Sequence, residues 1–189
     1  MDVLELLTSD HNRVRGLFTR FKSAKESDDL GEMATLATMI LTELEVHTTI
    51  EEEIFYPEVQ GLSDEVKDTI AEGFEEHHSA KAVMEEIAAL EPNTENWAAK
   101  VTVLIEQVEH HAEEEESNLF PPVRSNTSAE QRESLAERLE ARKAELGAPT
   151  MADKIDLTGA QVTQLAKEQE IPGRSKMSAE ELRMTVAPQ

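Results

Sequence analysis

The 189-residue sequence predicts an all-α protein: an up-down-up-down four-helix bundle with an extra helix and a small C-terminal helical module. Three observations predict it. Only 7 Gly and 7 Pro interrupt the chain. Ala, Glu and Leu dominate, with no run of β-branched alternation. Apolar residues recur three and four apart along four long segments joined by short connections.

The first helix is expected from about Asp2 to Ser27, with Leu4, Leu7, His11, Val14, Leu17, Phe18 and Phe21 on one face. The second begins after Asp28 or Asp29 and carries Met33, Leu36, Ile40, Leu44, His47 and Glu51 as far as Pro57. Proline lacks the N–H and clashes with the preceding turn, so the helix is expected to close there. Gly61 and Ser63 mark a turn and an N-cap. The third helix presents Val66, Ile70, Phe74, His77, Ala80, Val83, Met84 and Ile87 inward and stops by Pro92. Asn93 or Thr94 caps the fourth, which carries Trp97, Val101, Leu104, Val108, His111 and Glu115 before Pro121-Pro122. Ser128, with Gln131 three residues on, forms a capping box for a fifth helix reaching about Leu146. Its narrow stripe of Leu135, Leu139 and Leu146 suits packing on the outside of the bundle. The expected divisions are therefore a bundle over 1–146, with its fifth helix over about 128–146, a linker over 147–154, and a helix-loop-helix module over 155–189.

The four bundle helices are two copies of one hairpin. His11 and His77 are 66 residues apart; His47 and His111, Glu51 and Glu115, and Pro57 and Pro121 are each 64 apart. Residues at i and i+4 lie above one another on a helix, so His47–Glu51 and His111–Glu115 each set an imidazole beside a carboxylate, within an apolar stripe. A buried carboxylate without a partner costs several kcal/mol, so two of them at matched positions call for a compensating cation. Imidazole and carboxylate donors without thiolate favour iron, manganese or zinc. Six donors, His11, His47, Glu51, His77, His111 and Glu115, are too many for one tetrahedral zinc and suit two ions bridged by the glutamates.

His78 and His110 are turned about 100° from their neighbours His77 and His111 and are assigned to the surroundings of the site or the surface, with His78 the alternative to His77. In the run Glu113 to Glu116 only Glu115 is placed inward, the rest being a solvated face. Tyr56 is expected to pack beneath the site, or else to reach an open metal position. Competing metal signatures are poorly represented: Glu75-x2-His78 alone has ferritin-like spacing, and His-Glu-x2-His is absent.

Charge and composition narrow the partners. The 40 acidic and 18 basic side chains give a net charge of −22, concentrated in the body, which argues against nucleic acid and against an anionic membrane surface. There is no Cys, so disulfides and thiolate metal sites are excluded. The start has no basic segment followed by an apolar run, and nowhere do about 18 apolar residues stand together. No membrane association and a cytoplasmic location are the expectation.

With these residues in hand, positions 1 to about 145 resemble the hemerythrin-like HHE cation-binding proteins. Their pattern is a His, then His-x3-Glu, repeated twice, with Tyr-Pro or Phe-Pro close behind the Glu, and the six residues named above match it one for one. The resemblance implies a non-haem site of two Fe ions with a μ-oxo or hydroxo bridge and two bridging carboxylates. The oxygen-carrying members differ in having His-x3-His on the third helix, whereas His77 is followed at +4 by Lys81. That difference implies an open position on one iron and reaction with a small oxidant (H2O2, O2 or NO) rather than reversible storage. Catalase-like hydrogen peroxide decomposition is the activity the resemblance implies; the alternative is a module that senses or binds O2, nitric oxide or iron without turnover. From Ile155 to Val186 the chain is similar to the N-terminal helical module of transcription terminator Rho, through Ile171-Pro172-Gly173-Arg174-Ser175-Lys176-Met177-Ser178. Lys167, Arg174, Lys176 and Arg183 could touch phosphate there, but beside so acidic a body a protein partner is the expectation.

Overall fold

A computed structural model describes residues 1–147; the linker beyond Gly147 and the Rho-like module lie outside the described residues. The described chain is helical throughout, with no strand among its residues. Helix α1 spans Val3–Glu26, α2 Leu30–Ile50, α3 Tyr56–Val59, α4 Asp64–Ala89, α5 Glu95–Glu114, α6 Phe120–Asn126 and α7 Ala129–Glu145. Between α2 and α3, and again between α5 and α6, the helix continues through one π-helical turn, Glu51–Phe55 and Glu115–Leu119.

The helix starts follow from side chains that supply the donors' missing acceptors. Asp2 accepts from the Leu4 N–H, and its own N–H is returned to Glu5. Asp29, Ser63 and Thr94 accept from Glu32, Val66 and Trp97. Ser128 and Gln131 form the expected reciprocal box. Asp28 (φ 54°) and Asn93 (φ 66°) turn the chain between helices in the left-handed region that these two residue types tolerate.

Helix α1 packs chiefly on α2 and α4 on α5, giving the two hairpins of the repeat. Their apolar stripes meet in one core built from Phe18, Phe21, Leu36, Ile40, Trp97, Leu104 and their neighbours. Each such aliphatic or aromatic side chain contributes about 1.5–3 kcal/mol by leaving water. Helix α7 lies against α1, α2 and the first π-helical turn. It buries Leu135, Ala136, Leu139 and Lys143, while Arg142 clasps Glu53 and Arg138 reaches Glu58. Phe74, expected inside, is 39% exposed; it leans edge-on against Tyr56 at 5.3 Å rather than entering the core.

Two expectations about helix ends are corrected. Pro57 and Pro121 do not close the second and fourth helices, which run on to Val59 and Asn126. A proline is tolerated at the first positions of a helical segment, and the wider turn ahead of each one supplies such a start. The third helix ends at Ala89, three residues before Pro92.

Candidate metal centre

The consequence of the π-helical turns is local and specific. Such a turn inserts an extra residue and closes its hydrogen bond from i+5 to i; the Tyr56 N–H bonds Glu51 O, and the Phe120 N–H bonds Glu115 O. Each aromatic is thereby carried round to the face of its glutamate. Tyr56 stacks on His77 (centroids 5.6 Å, 23°) and Phe120 on His11 (6.0 Å, 6°), so the second hairpin's aromatic floors the first hairpin's histidine and the converse.

All six residues expected from the sequence converge. His11 Nε2 lies 3.1 Å from His47 Nε2, and His77 Nε2 lies 3.0 Å from His111 Nε2. The glutamates lie among them: Glu51 Oε1 is 3.2 Å from His47 and Oε2 is 3.4 Å from His77, while Glu115 Oε2 is 3.3 Å from His11 and 3.7 Å from His111. His11, His47, Glu51 and Glu115 form one group of converging donor atoms and Glu51, His77 and His111 a second, sharing Glu51. His78 and His110 are exposed, so His77 and not His78 faces inward.

The outer nitrogens of three imidazoles are held by carboxylates. His11 Nδ1 donates to Glu116 at 2.8 Å, His77 Nδ1 to Glu52 at 3.0 Å and His111 Nδ1 to Glu76 at 2.7 Å. Two of these carboxylates are themselves gripped, Glu116 by Arg15 at 2.8 Å and Glu52 by Lys81 at 2.6 Å. With Nδ1 carrying the proton, Nε2 presents a lone pair inward.

Lone pairs facing one another at 3 Å, beside carboxylate oxygens, need a cation between them. Both oxygens of Glu51 and Oε2 of Glu115 are buried without a hydrogen-bond donor. Burial, reinforced by the charge of Glu115, pushes the Glu51 carboxyl well above the usual range. Burial opposes charge on His11 too, but hydrogen bonds to Glu115 and Glu116 outweigh it and hold His11 up at about 9. Burial, with His11 beside it, drives His47 well down. Without a metal, protons take the cation's place. The donor set fits a metal site: nitrogen and oxygen only, convergent, dry and oriented from outside.

The site is asymmetric along the bundle axis. On the side of the glutamates Tyr56 seals it, donating its hydroxyl to Glu115 Oε1 at 2.8 Å. On the other side a cavity of about 30 Å³ adjoins all four imidazoles, walled by Val14, Phe18, Leu44, Ala80, Met84 and Val108. That space admits a molecule of two or so heavy atoms.

Residues 2–123 match the hemerythrin HHE cation-binding domain. The chain belongs to this family. Among curated relatives, it is 32% identical over 146 residues to a protein named DNA nickase from a Nostoc species, covering 77% of this chain and 40% of that protein. It is 23% identical over 142 residues to an uncharacterised hemerythrin-like protein of Schizosaccharomyces pombe, covering 75% of this chain and 68% of that one. The chain thus spans well under half of the Nostoc protein. No solved structure matches it.

Within this hemerythrin-like fold, three features escaped the sequence reading. Glu116 was assigned to a solvated face, yet it holds His11; a helix-wheel estimate of position 116 fails because the π-helical turn starts at Glu115. Glu52 and Glu116 are 64 residues apart and Arg15 and Lys81 are 66 apart, so the repeat itself carried the signal. The absent imidazole was sought at position 81, whose Lys instead grips Glu52. The position that faces the site is the one four before His77, Gly73. A Cβ there would stand 3.0 Å from the Tyr56 hydroxyl and 3.7 Å from His111 Cε1. The phenol thus fills the room beside Gly73. Among the described residues no helix is long and apolar enough to cross a membrane.

Proposed function

We propose that His11, His47, Glu51, His77, His111 and Glu115 hold a pair of iron ions and that the protein decomposes hydrogen peroxide, two molecules giving two of water and one of O2. The observation that carries the metal reading is the set of undonated carboxylate oxygens at Glu51 and Glu115 lying 3.2–3.7 Å from four inward imidazole nitrogens. When bound, a pair of ions that change oxidation state supplies the redox chemistry.

The chain's own residues set the conditions. Glu51, common to both donor groups, fixes the spacing of two cations. Glu116, Glu52 and Glu76 hold their imidazoles in one tautomer and raise their basicity. Tyr56 keeps Glu115 Oε1 occupied and closes the carboxylate end to water. The apolar cavity beside the imidazoles leaves room for a small neutral reactant and discriminates against anions, as does the charge of −22.

The test is metal content, the near-ultraviolet spectrum of an oxo-bridged ferric pair, and O2 evolution from peroxide by iron-loaded protein beside His111→Ala. Equal rates in the two proteins sink the peroxide reading.

A second reading is favoured by the same cavity, whose wall is almost wholly apolar: reversible binding or sensing of O2 or nitric oxide, with the C-terminal module passing the state to a protein partner. A gas-dependent spectral change without turnover selects it. The name of the Nostoc relative raises DNA as a third substrate, which the acidic charge opposes; nicking of a supercoiled plasmid by the loaded protein, lost in His111→Ala, would revive it.

A further inference from the structure

The two hairpins place equivalent residues around the site, and one equivalence is broken. Asp10 precedes His11 as Glu76 precedes His77, 66 residues on. Glu76 accepts from Nδ1 of His111. By the repeat, Asp10 is the residue that should accept from Nδ1 of His47, since His47 is the counterpart of His111. It does not: His47 Nδ1 is buried with no hydrogen-bond partner, alone among the four imidazoles. Asp10 Oδ2 is instead 2.5 Å from Nζ of Lys143, and the pair is buried at 4% and 2% exposure. Asp10 borders the same cavity as His47, and its charge acts on that ring.

Lys143 comes from α7, which lies beyond the residues 2–123 that match the family domain. A buried lysine is costly to keep, because the ion pair must offset the loss of water around both charges. Exposed residues along the same helix already clasp the bundle through Arg138 and Arg142, so attachment of α7 does not require a charge in its core-facing stripe.

We infer that Lys143 is a positioning residue of the metal centre: by holding the Asp10 carboxylate it leaves His47 without the outer partner that orients the other three imidazoles, making the His11–His47 metal position unlike the His77–His111 position. The inference rests on the metal-binding reading above. An imidazole without a carboxylate at Nδ1 is a weaker donor and less fixed in its ring orientation, so one ion is held less firmly than its partner. Two unequal positions suit a pair in which one ion exchanges ligands while the other stays put.

The test begins with metal-free, full-length protein and 15N NMR of the histidine rings. Wild type should show hydrogen-bonded Nδ1 protons for His11, His77 and His111 and none for His47; a fourth such proton overturns the inference. In Lys143→Met, of similar length and uncharged, Asp10 is released and His47 should gain that proton. Zn²⁺ is then titrated against a chelator, with His11/His47 and His77/His111 signals reporting each position separately. The His11–His47 position should tighten about tenfold or more relative to the other, the range found for outer carboxylates. Unchanged relative affinity overturns the inference. Because the first comparison is made without metal, it holds or fails whether or not the protein takes up two ions, and absence of Zn²⁺ uptake by wild type counts against the metal reading instead. Should Lys143→Met not fold, Lys143→Gln takes its place with the same expectation.

Discussion

The hydroxyl of Tyr56 donates to Glu115 Oε1 across 2.8 Å, joining the floor of one hairpin to the carboxylate of the other. Its counterpart 64 residues on is Phe120, which stacks on His11 in the same manner but has no hydroxyl to give. The two halves of the centre are therefore alike in stacking and unlike in hydrogen bonding. Tyr56→Phe leaves the stacking and removes the donor, so a buried carboxylate oxygen loses its partner. The metal-free protein should lose about 1–3 kcal/mol, measured by urea denaturation in the presence of a chelator.

Gly73→Ala tests the space that admits the phenol. A methyl 3.0 Å from the Tyr56 oxygen must displace it, since Tyr56 is buried and packed between His77 and Phe74. A loss of about 1–3 kcal/mol is expected for Gly73→Ala alone. In the Tyr56→Phe background the same change should cost distinctly less, because the atom it meets is gone. Additive costs in the double-mutant cycle would show that the clash lies elsewhere.

Glu76→Gln and Glu116→Gln each exchange a carboxylate that orients an imidazole for a weaker acceptor. Metal affinity should fall about 10–100-fold in each. Glu53→Gln, which breaks only the exposed pair with Arg142, should leave affinity unchanged. Chelator competition reads all three, and a comparable drop in Glu53→Gln would indicate a general loosening of the fold.

Stability of the metal-free protein should depend on pH through His11. Its folded value, about 9, is above the ordinary 6.5 because hydrogen bonds to Glu115 and Glu116 outweigh burial. A base raised in the folded state stabilises fully below its unfolded value, and that contribution is lost as pH rises through the folded one. Glu51, raised by burial, acts with the same sign. His47 and His77, lowered by burial, withdraw stability as pH falls below about 6.5. Melting temperature in chelator should thus decline from near neutral pH towards 9, and saturating metal should flatten that decline, since ions replace the protons. A flat profile without metal contradicts the protonated His11.

The fold and the six inward residues were legible because helical periodicity and a duplicated hairpin are local properties, repeated in register. Caps at Asp29, Ser63, Thr94 and Ser128 were legible for the same reason. Where the reading failed, the helix had left its ordinary period: beyond Glu51 and Glu115 a π-helical turn shifts every later side chain, so Pro57, Pro121 and Glu116 did not fall where a 3.6-residue wheel puts them.

By itself the sequence determined that four helices pair as two copies of one hairpin, and that each copy brings two imidazoles and a carboxylate to its apolar stripe, because spacing along a chain fixes which side chains share a helix face. Only the tertiary structure decided which carboxylate steadies which imidazole, that Gly73 makes room for the Tyr56 hydroxyl, and that Lys143 from α7 engages Asp10. Those relations join residues 17 to 133 positions apart on separate elements, and the distances that define them arise when the helices pack, where no period in the sequence can express them.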